Sequence, residues 1–222
     1  MRKRIPCALL LLALAGVPQI IFAQQARVVD RIVARIEDDI LTLSELRELG
    51  RFQQLVNSGS APKEATSEEE LLRQLIDQWI VNTEASVAQF PHPTKQEVQA
   101  EVEVLMKKFA SSEAYRARLK ELELTPESVA RQVEKQIFLG RFLDYKLRPA
   151  ASVAREQVEK YYREELIPEL KKRGQAAPPL ESVDEQIREL LTQREISARA
   201  AKWLDETRAR LKIEIAGKKT TP

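Results

Sequence analysis

Residues 27–46 read RVVDRIVARIEDDILTLSEL, and this stretch decides the fold. From Arg31 to Ile36 the residues alternate with a period of two, which is typical of a β-strand. Asp38-Asp39 predict a turn, and Ile40-Leu41 predict the returning strand of a hairpin. The Thr-Leu-Ser-Glu sequence at 42–45 has the pattern of a capping box, which predicts that a helix begins directly after the hairpin.

A two-stranded hairpin is only marginally stable in water and needs a third strand or a packed helix. The far end of the chain offers a strand, because apolar and charged residues again alternate in Arg210–Ile215. We therefore expect the two ends of the folded chain to meet in a small antiparallel or mixed β-sheet. The fold class that we expect is mostly α, with the helices carried on this sheet.

Seven stretches between these ends have apolar residues at helical spacing. Three capping-box patterns and one Thr-Pro pair mark helix starts, at Ser67–Glu70, Thr94–Glu97, Thr125-Pro126 and Ser182–Glu185. The helices are expected at 44–57, from 67 to near 89, from 94 to 109, around 115–122, from 125 to just before Pro149, from 152 to Pro168, and from 182 to about 210.

The first 23 residues have the layout of a secretory signal peptide. Arg2-Lys3-Arg4 form a cationic start, Ala8–Ala15 form a short apolar run, and Ala23 is a small residue before polar glutamines. The alternative is an uncleaved membrane anchor. Pro18 and its neighbours interrupt the apolar run well short of the ~20 residues that a membrane span needs, so cleavage is the favoured interpretation.

Charge and residue types disfavour several classes of function. The chain has 36 Lys and Arg and 34 Asp and Glu, and the leader holds three of the cations, which leaves a net charge of about −1 and disfavours nucleic acid. Cys7 lies in the leader and His92 lies between two prolines; there is no second cysteine or histidine. We expect no catalytic residue, metal or cofactor, because such sites lack their usual ligands and bases. His92 is expected to be an exposed loop residue, with a pH-sensing role as the alternative.

Apolar helix faces are what remains to support a function. Core packing explains most aromatic residues, and we expect Trp79 and Trp203 to be structural. The hypothesis for a site is an apolar cleft between helices, which would suit extended apolar peptide segments. Its candidate residues are Met106, Phe109, Phe138 and Phe142.

The order of several short motifs resembles the SurA-like periplasmic chaperones and their peptidyl-prolyl isomerase relatives. These motifs are 29–36, 40–46, 71–78, 84–85, 94–98, 124–127, 147–149, 158–162, 203–205 and 213–215. The resemblance covers nearly all of residues 24–222. It implies a periplasmic holdase that keeps unfolded outer-membrane or secreted proteins soluble without ATP, and it agrees with the sheet that joins the two ends.

The chain departs from this family between Tyr162 and Ser182. The family usually carries one or two parvulin-type isomerase domains there, whereas this chain has some twenty residues, fewer than the ~50 of a small domain. Parvulin chemistry also relies on histidines, and none lies in this half of the chain. We therefore predict a signal peptide at 1–23 and one chaperone core at 24–222, with 163–182 as a short linker-like segment. The alternatives are an adaptor that binds one folded partner and a residual isomerase.

Overall fold

The computed structural model describes residues 30–58 and 66–217. The expected leader with Cys7, most of the loop expected after Asn57, and the Lys218-Lys219 tail lie outside these residues.

Helices dominate the described residues, and a small sheet joins their two ends, as the sequence predicts. Short 3₁₀ and π turns connect some of the helices, at Arg148–Ala150 and Tyr162–Leu166. The elements in order are β1 Ile32–Ile36, β2 Asp39–Thr42, α1 Leu43–Val56, α2 Glu68–Val87, α3 Lys95–Met106, α4 Ser112–Glu121, α5 Pro126–Leu147, α6 Arg155–Tyr161, α7 Ile167–Lys172, α8 Leu180–Arg208 and β3 Ile213–Ile215.

The sheet has the strand order β2-β1-β3 and is antiparallel throughout. The C-terminal strand thus pairs with the N-terminal hairpin, which confirms the predicted junction. The predicted turn was wrong by one residue: Asp39 already pairs with Ile36, so the turn consists of Glu37 and Asp38. Burial decides this register, because Ile36 is completely buried and a one-residue slip would turn it to solvent.

Helix α1 begins where the capping box predicted. The Glu45 carboxylate accepts a hydrogen bond from the Thr42 backbone N–H at 2.9 Å, and the Thr42 hydroxyl accepts one from the Glu45 N–H at 3.3 Å. The last long helix is present as predicted, but its predicted start was wrong. Helix α8 begins at Leu180, two residues before Ser182, and the Ser182 hydroxyl donates to the Pro179 carbonyl at 2.7 Å instead of capping the helix.

Pro168 does not end its helix, contrary to the sequence prediction. Helix α6 passes through the π turn directly into α7, and Ile167 N–H bonds to the Tyr162 carbonyl five residues back. A proline lacks an N–H and clashes with the carbonyl four residues earlier, and the wider π turn relieves both problems. The start was also later than predicted, because α6 begins at Arg155 rather than Ser152.

The described residues enclose two hydrophobic cores, and α5 contributes to both. The first core holds the sheet, the first half of α1, and parts of α2, α5 and α8, including Ile36, Ile80 and Phe142. The second core holds the end of α1, the α3–α4 pair and the beginning of α5, including Phe52 and Val129. The C-terminal half of α5 therefore faces one core, and its N-terminal half faces the other.

The segment 163–182, which the sequence predicts to be linker-like, folds back along α8. Tyr162 Oη donates to the Pro178 carbonyl at 2.6 Å, and Arg194 Nη1 lies 3.0 Å from a Glu165 carboxylate oxygen. Val158 of α6 and Ile187 of α8 are buried. Helices α6 to α8 thus pack together, and we call them the helical arm.

Candidate functional site

A cavity of about 260 Å³ opens between α2, α5 and the loop that follows α2, and we call it the His92 cavity. Its walls combine one buried aromatic side chain with polar and charged groups. They consist of Asn82, Ser86, His92, Arg131, Glu134, Lys135 and Phe138.

His92 covers one wall of this cavity. Its imidazole stacks on the Phe138 ring with centroids 4.4 Å apart and planes 10° from parallel. Its Nδ1 lies 3.8 Å from Glu134 Oε1, and 71% of its side chain is exposed. The flanking prolines Pro91 and Pro93 restrict the backbone, so the loop holds the imidazole in place. His92 is therefore an exposed loop residue, as predicted, and also part of the cavity wall.

Phe90 continues this aromatic surface along α5. Its ring packs edge-on against Phe138 at 5.8 Å and Phe142 at 5.5 Å, and tilted against Tyr145 at 5.2 Å. The three α5 residues are spaced by four and three, which places them on one helix face. Phe138 and Phe142 are buried, whereas Tyr145 is 62% exposed. The row of rings therefore runs from the core to solvent, and we call it the aromatic ladder.

Lys146 fixes the helices beside this ladder. Its Nζ lies 3.0 Å from Glu84 of α2, and 4.8 Å from the centroid of the Trp203 ring of α8. Trp79, the other tryptophan, donates from Nε1 to Asp39 at 2.8 Å. Both tryptophans pack against the first core, as expected.

An ion pair anchors the loop between α2 and α3 at the end where α3 begins. Arg141 of α5 lies 2.7 Å from a Glu97 carboxylate oxygen in the first turn of α3. The Arg141 guanidinium, together with the backbone and hydroxyl of Thr94, lowers the pKa of Glu97 from its ordinary 4.5 to about 2. The loop at 88–94 carries Phe90 and His92, and we call it the strap. The ion pair thus ties the strap to α5 at the end that follows His92.

A second cavity, of about 330 Å³, lies at the junction of α3 and α4, and we call it the Met106 cavity. Met106 and Phe109 line it together with Glu103, Lys107, Ser111 and Ser112. The Phe109 ring packs edge-on against Tyr115 at 5.3 Å. Met106 and Phe109 are both half-buried against the second core.

The four residues predicted for one cleft therefore occupy different places. Phe138 lines the His92 cavity, Met106 and Phe109 line the Met106 cavity, and Phe142 is 2% exposed in the first core. Their association with peptide remains a prediction.

Sequence reasoning did not single out Phe90, His92 or Tyr145 as parts of one surface. Phe90 and His92 lie in a Phe-Pro-His-Pro loop, whose prolines could have marked a fixed loop rather than a spacer. Val87 is seven residues after Ile80, a spacing that predicts the buried face of α2, but it is 84% exposed. Val87 is the last residue of α2, and the buried residues of this helix end at Ala85.

The described residues contain no group of three or more His, Cys, Asp or Glu residues placed to hold a metal ion. In the same residues, every helix is too short or too polar to cross a membrane.

The fold and its cavities define a class: a mostly helical domain whose two ends join in one small sheet, with cavities that have apolar walls and charged rims. Over 150 residues the chain is 28% identical to the protein named Chaperone SurA of Legionella pneumophila strain Paris, covering 64% of this chain and 34% of the relative. Over 148 residues it is 28% identical to the Chaperone SurA of Legionella pneumophila subsp. pneumophila strain Philadelphia 1, covering 63% and 33%.

The chain spans about a third of the length of these curated relatives. No protein-family profile matches it. The similarity is distant, and it supports a SurA-like relationship, in agreement with the order of motifs in the sequence.

Proposed function

We propose that the chain is an ATP-independent chaperone of the holdase type. It binds unfolded outer-membrane or secreted polypeptides in the periplasm and needs no cofactor. The similarity to proteins named Chaperone SurA supports the chaperone class. The proposed domain organisation is that of the sequence analysis, with a leader at 1–23 and a chaperone core at 24–222.

The aromatic ladder beside the His92 cavity is the observation that carries this proposal. Tyr145 is 62% exposed and belongs to a row of rings that is anchored in the core. Ordered rings present apolar area at a small cost in side-chain entropy. Such a surface suits apolar stretches of an unfolded chain.

Release of a client also follows from this surface. The His92 cavity is small, and most of the ladder is already covered, so each contact buries little apolar area. Binding that is weak per contact reverses without an energy source, because ordering an unfolded segment offsets much of the favourable free energy. In this proposal Phe138, Met106 and Phe109 contact clients at the two cavities, and Phe142 supports the ladder from the core.

The test is aggregation of an unfolded outer-membrane barrel protein diluted from urea, followed by light scattering with the purified chain in excess and no nucleotide. Suppressed scattering is expected. Tyr145→Ser should weaken suppression, whereas the matched variant Leu190→Ser, which changes an apolar residue 41% exposed on the helical arm, should not. Absence of suppression by the folded chain would refute the holdase proposal.

Two further measurements separate the alternatives. A pull-down that yields one stoichiometric partner, rather than many outer-membrane proteins, would favour an adaptor. A proline-peptide isomerisation assay is expected to show the uncatalysed rate, and a clear acceleration would identify an isomerase.

A further inference from the structure

The backbone N–H and C=O groups of β3 and its flanking residues point toward β1 at every second residue. Glu37 N–H donates to the Lys212 carbonyl at 3.0 Å, and Ala216 N–H donates to the Val33 carbonyl at 2.9 Å. The pair of Arg35 and Glu214 lies between these two hydrogen bonds, so the backbone N–H and C=O groups of Glu214 also point toward β1. The backbone N–H and C=O groups of Ile213 and Ile215 consequently point away from the sheet.

These outward groups form an open edge. The strand order β2-β1-β3 places β3 at one side of the sheet, and no described residue hydrogen-bonds the backbone of Ile213 or Ile215. Both residues are half-exposed. Proteins usually shield such an edge, because unpaired strand groups are a template for another strand.

The opposite edge of the sheet has fewer unpaired backbone groups. In β2 the outward Thr42 N–H already donates to the Glu45 carboxylate at 2.9 Å, and the chain turns directly into α1, so Ile40 is the one residue of this strand with outward groups left unpaired by the described residues. The two edges therefore differ, and within the described sheet β3 has two such residues, Ile213 and Ile215.

We propose that the open edge of β3 binds an extended segment of an unfolded client as a fourth β-strand. This inference rests on the proposed holdase function and names how that function recognises its substrate. The edge supplies two N–H donors and two C=O acceptors, so the added strand is short and readily released.

Side chains on β3 define which segment fits. Ile213 and Ile215 contact the first core, whereas Glu214 lies on the other face and is exposed. A segment that pairs here places apolar residues beside the two isoleucines and one residue directly opposite Glu214. Since opposite charges across a strand pair attract, the best segment has a Lys or Arg between two apolar residues.

The same charge disfavours a second copy of this chain. Two β3 strands paired about a twofold axis at Glu214 would place one Glu214 carboxylate opposite the other, and like charges in this position are destabilising. A client segment with one cationic residue opposite Glu214 avoids this carboxylate–carboxylate repulsion and shares the carboxylate with the Lys212 ammonium, which lies 3.2 Å from Glu214 Oε1.

Amide hydrogen exchange measured by NMR on the full chain tests this inference. The probe is a capped pentapeptide, Thr-Val-Lys-Val-Thr, added to saturation. We expect exchange of the Ile213 and Ile215 amides to slow about tenfold, because one new hydrogen bond protects each of them. The Glu214 amide, which already bonds to β1, should not change.

A charge exchange provides the matched control. A peptide with Glu in place of the central Lys should bind about two- to fivefold more weakly, and Glu214→Lys should reverse this preference. Unchanged exchange at Ile213 and Ile215 would overturn the inference, as would protection that rises with protein concentration and needs no peptide, since this would identify a second copy as the occupant.

The outcome is separable from that of the holdase test. Suppressed aggregation with unprotected Ile213 and Ile215 would overturn the edge inference alone. Protection of both amides by a chain that does not suppress aggregation would leave the edge as a strand-binding site and overturn the holdase function.

Discussion

Replacing Phe142 by alanine distinguishes a ring that supports the fold from a ring that contacts a ligand. Phe142 is 2% exposed and packs against Phe90 with ring centroids 5.5 Å apart. The Lys146 ammonium lies 5.7 Å from the same ring. The substitution removes a buried aromatic side chain from the first core and leaves a cavity between α5 and the strap that carries Phe90.

The expected cost follows from this burial. Truncation of a buried phenylalanine to alanine typically lowers the free energy of unfolding by about 3–5 kcal/mol, which includes both the lost apolar contact and the cavity. For a chain of this size that corresponds to a fall in Tm of about 6–20 °C. The flexible Lys146 side chain can fill little of the space, since its ammonium is held by Glu84.

Urea unfolding of the full chain, followed by far-UV circular dichroism, measures the effect. Tyr145→Ala is the matched control, because Tyr145 lies three residues further along the same helix face and is 62% exposed. We expect it to lower stability by about 1 kcal/mol, because it removes the contact with the Phe90 ring but leaves no buried cavity. A loss below about 1 kcal/mol for Phe142→Ala, or equal losses for both variants, would refute the assignment of Phe142 to the core.

Three other variants test caps, charges and helix docking. Thr42→Ala removes the capping box of α1 and should cost about 1 kcal/mol in urea unfolding; no loss would contradict the role of the cap. Because the pKa of Glu97 is lowered to about 2, its contribution to stability is complete above its ordinary 4.5 and disappears as the pH falls to about 2. Arg141→Gln should therefore flatten the decline of stability in this pH window, and an unaltered acid profile would contradict it. Arg208→Met leaves the partly buried Asp77, 2.8 Å away, without its partner and should cost about 2 kcal/mol, whereas adding Asp77→Asn should recover part of this loss.

The hairpin and its closing strand could be predicted because their signals are local and agree with one another. The capping box and the second alternating segment are confirmed by the structure. The alternation of the first strand holds from Ala34 to Ile36 and is interrupted between Ile32 and Ala34, where the register shifts and Val33 is buried as well. The turn shifted by one residue because burial of Ile36 sets the register, and no property of Asp38-Asp39 alone reports burial.

Errors elsewhere arose where neighbours override a local signal. Pro168 normally ends a helix, but a π turn upstream accommodates it. Ser182 and Glu185 match the capping-box pattern, yet the helix begins at Leu180. Phe138 and Phe142 were both proposed for a cleft, and only packing against Phe90 and His92 decides which part of each ring remains accessible.

The spacing of apolar residues along α5 explains why a cavity exists at all. Val129 and Val133 are four apart and belong to the second core, whereas Phe138 and Phe142 are four apart and belong to the first core. The step between the two pairs is five residues, which at 100° per residue turns the apolar stripe by about 140°. The helix must therefore pack on two different sides.

Neither core covers the helix surface where this stripe changes side. Glu134 and Lys135 lie in that interval and, together with Arg131, form the charged part of the His92 cavity, while Phe138 provides its apolar wall. The cavity consequently exists because the apolar stripe of α5 changes side, and not because a side chain is too small to fill it. Filling the cavity would require a ligand or a shift of the strap that carries His92. A ligand bound there would contact the helix that both cores share, so the candidate site is connected to the packing of both cores.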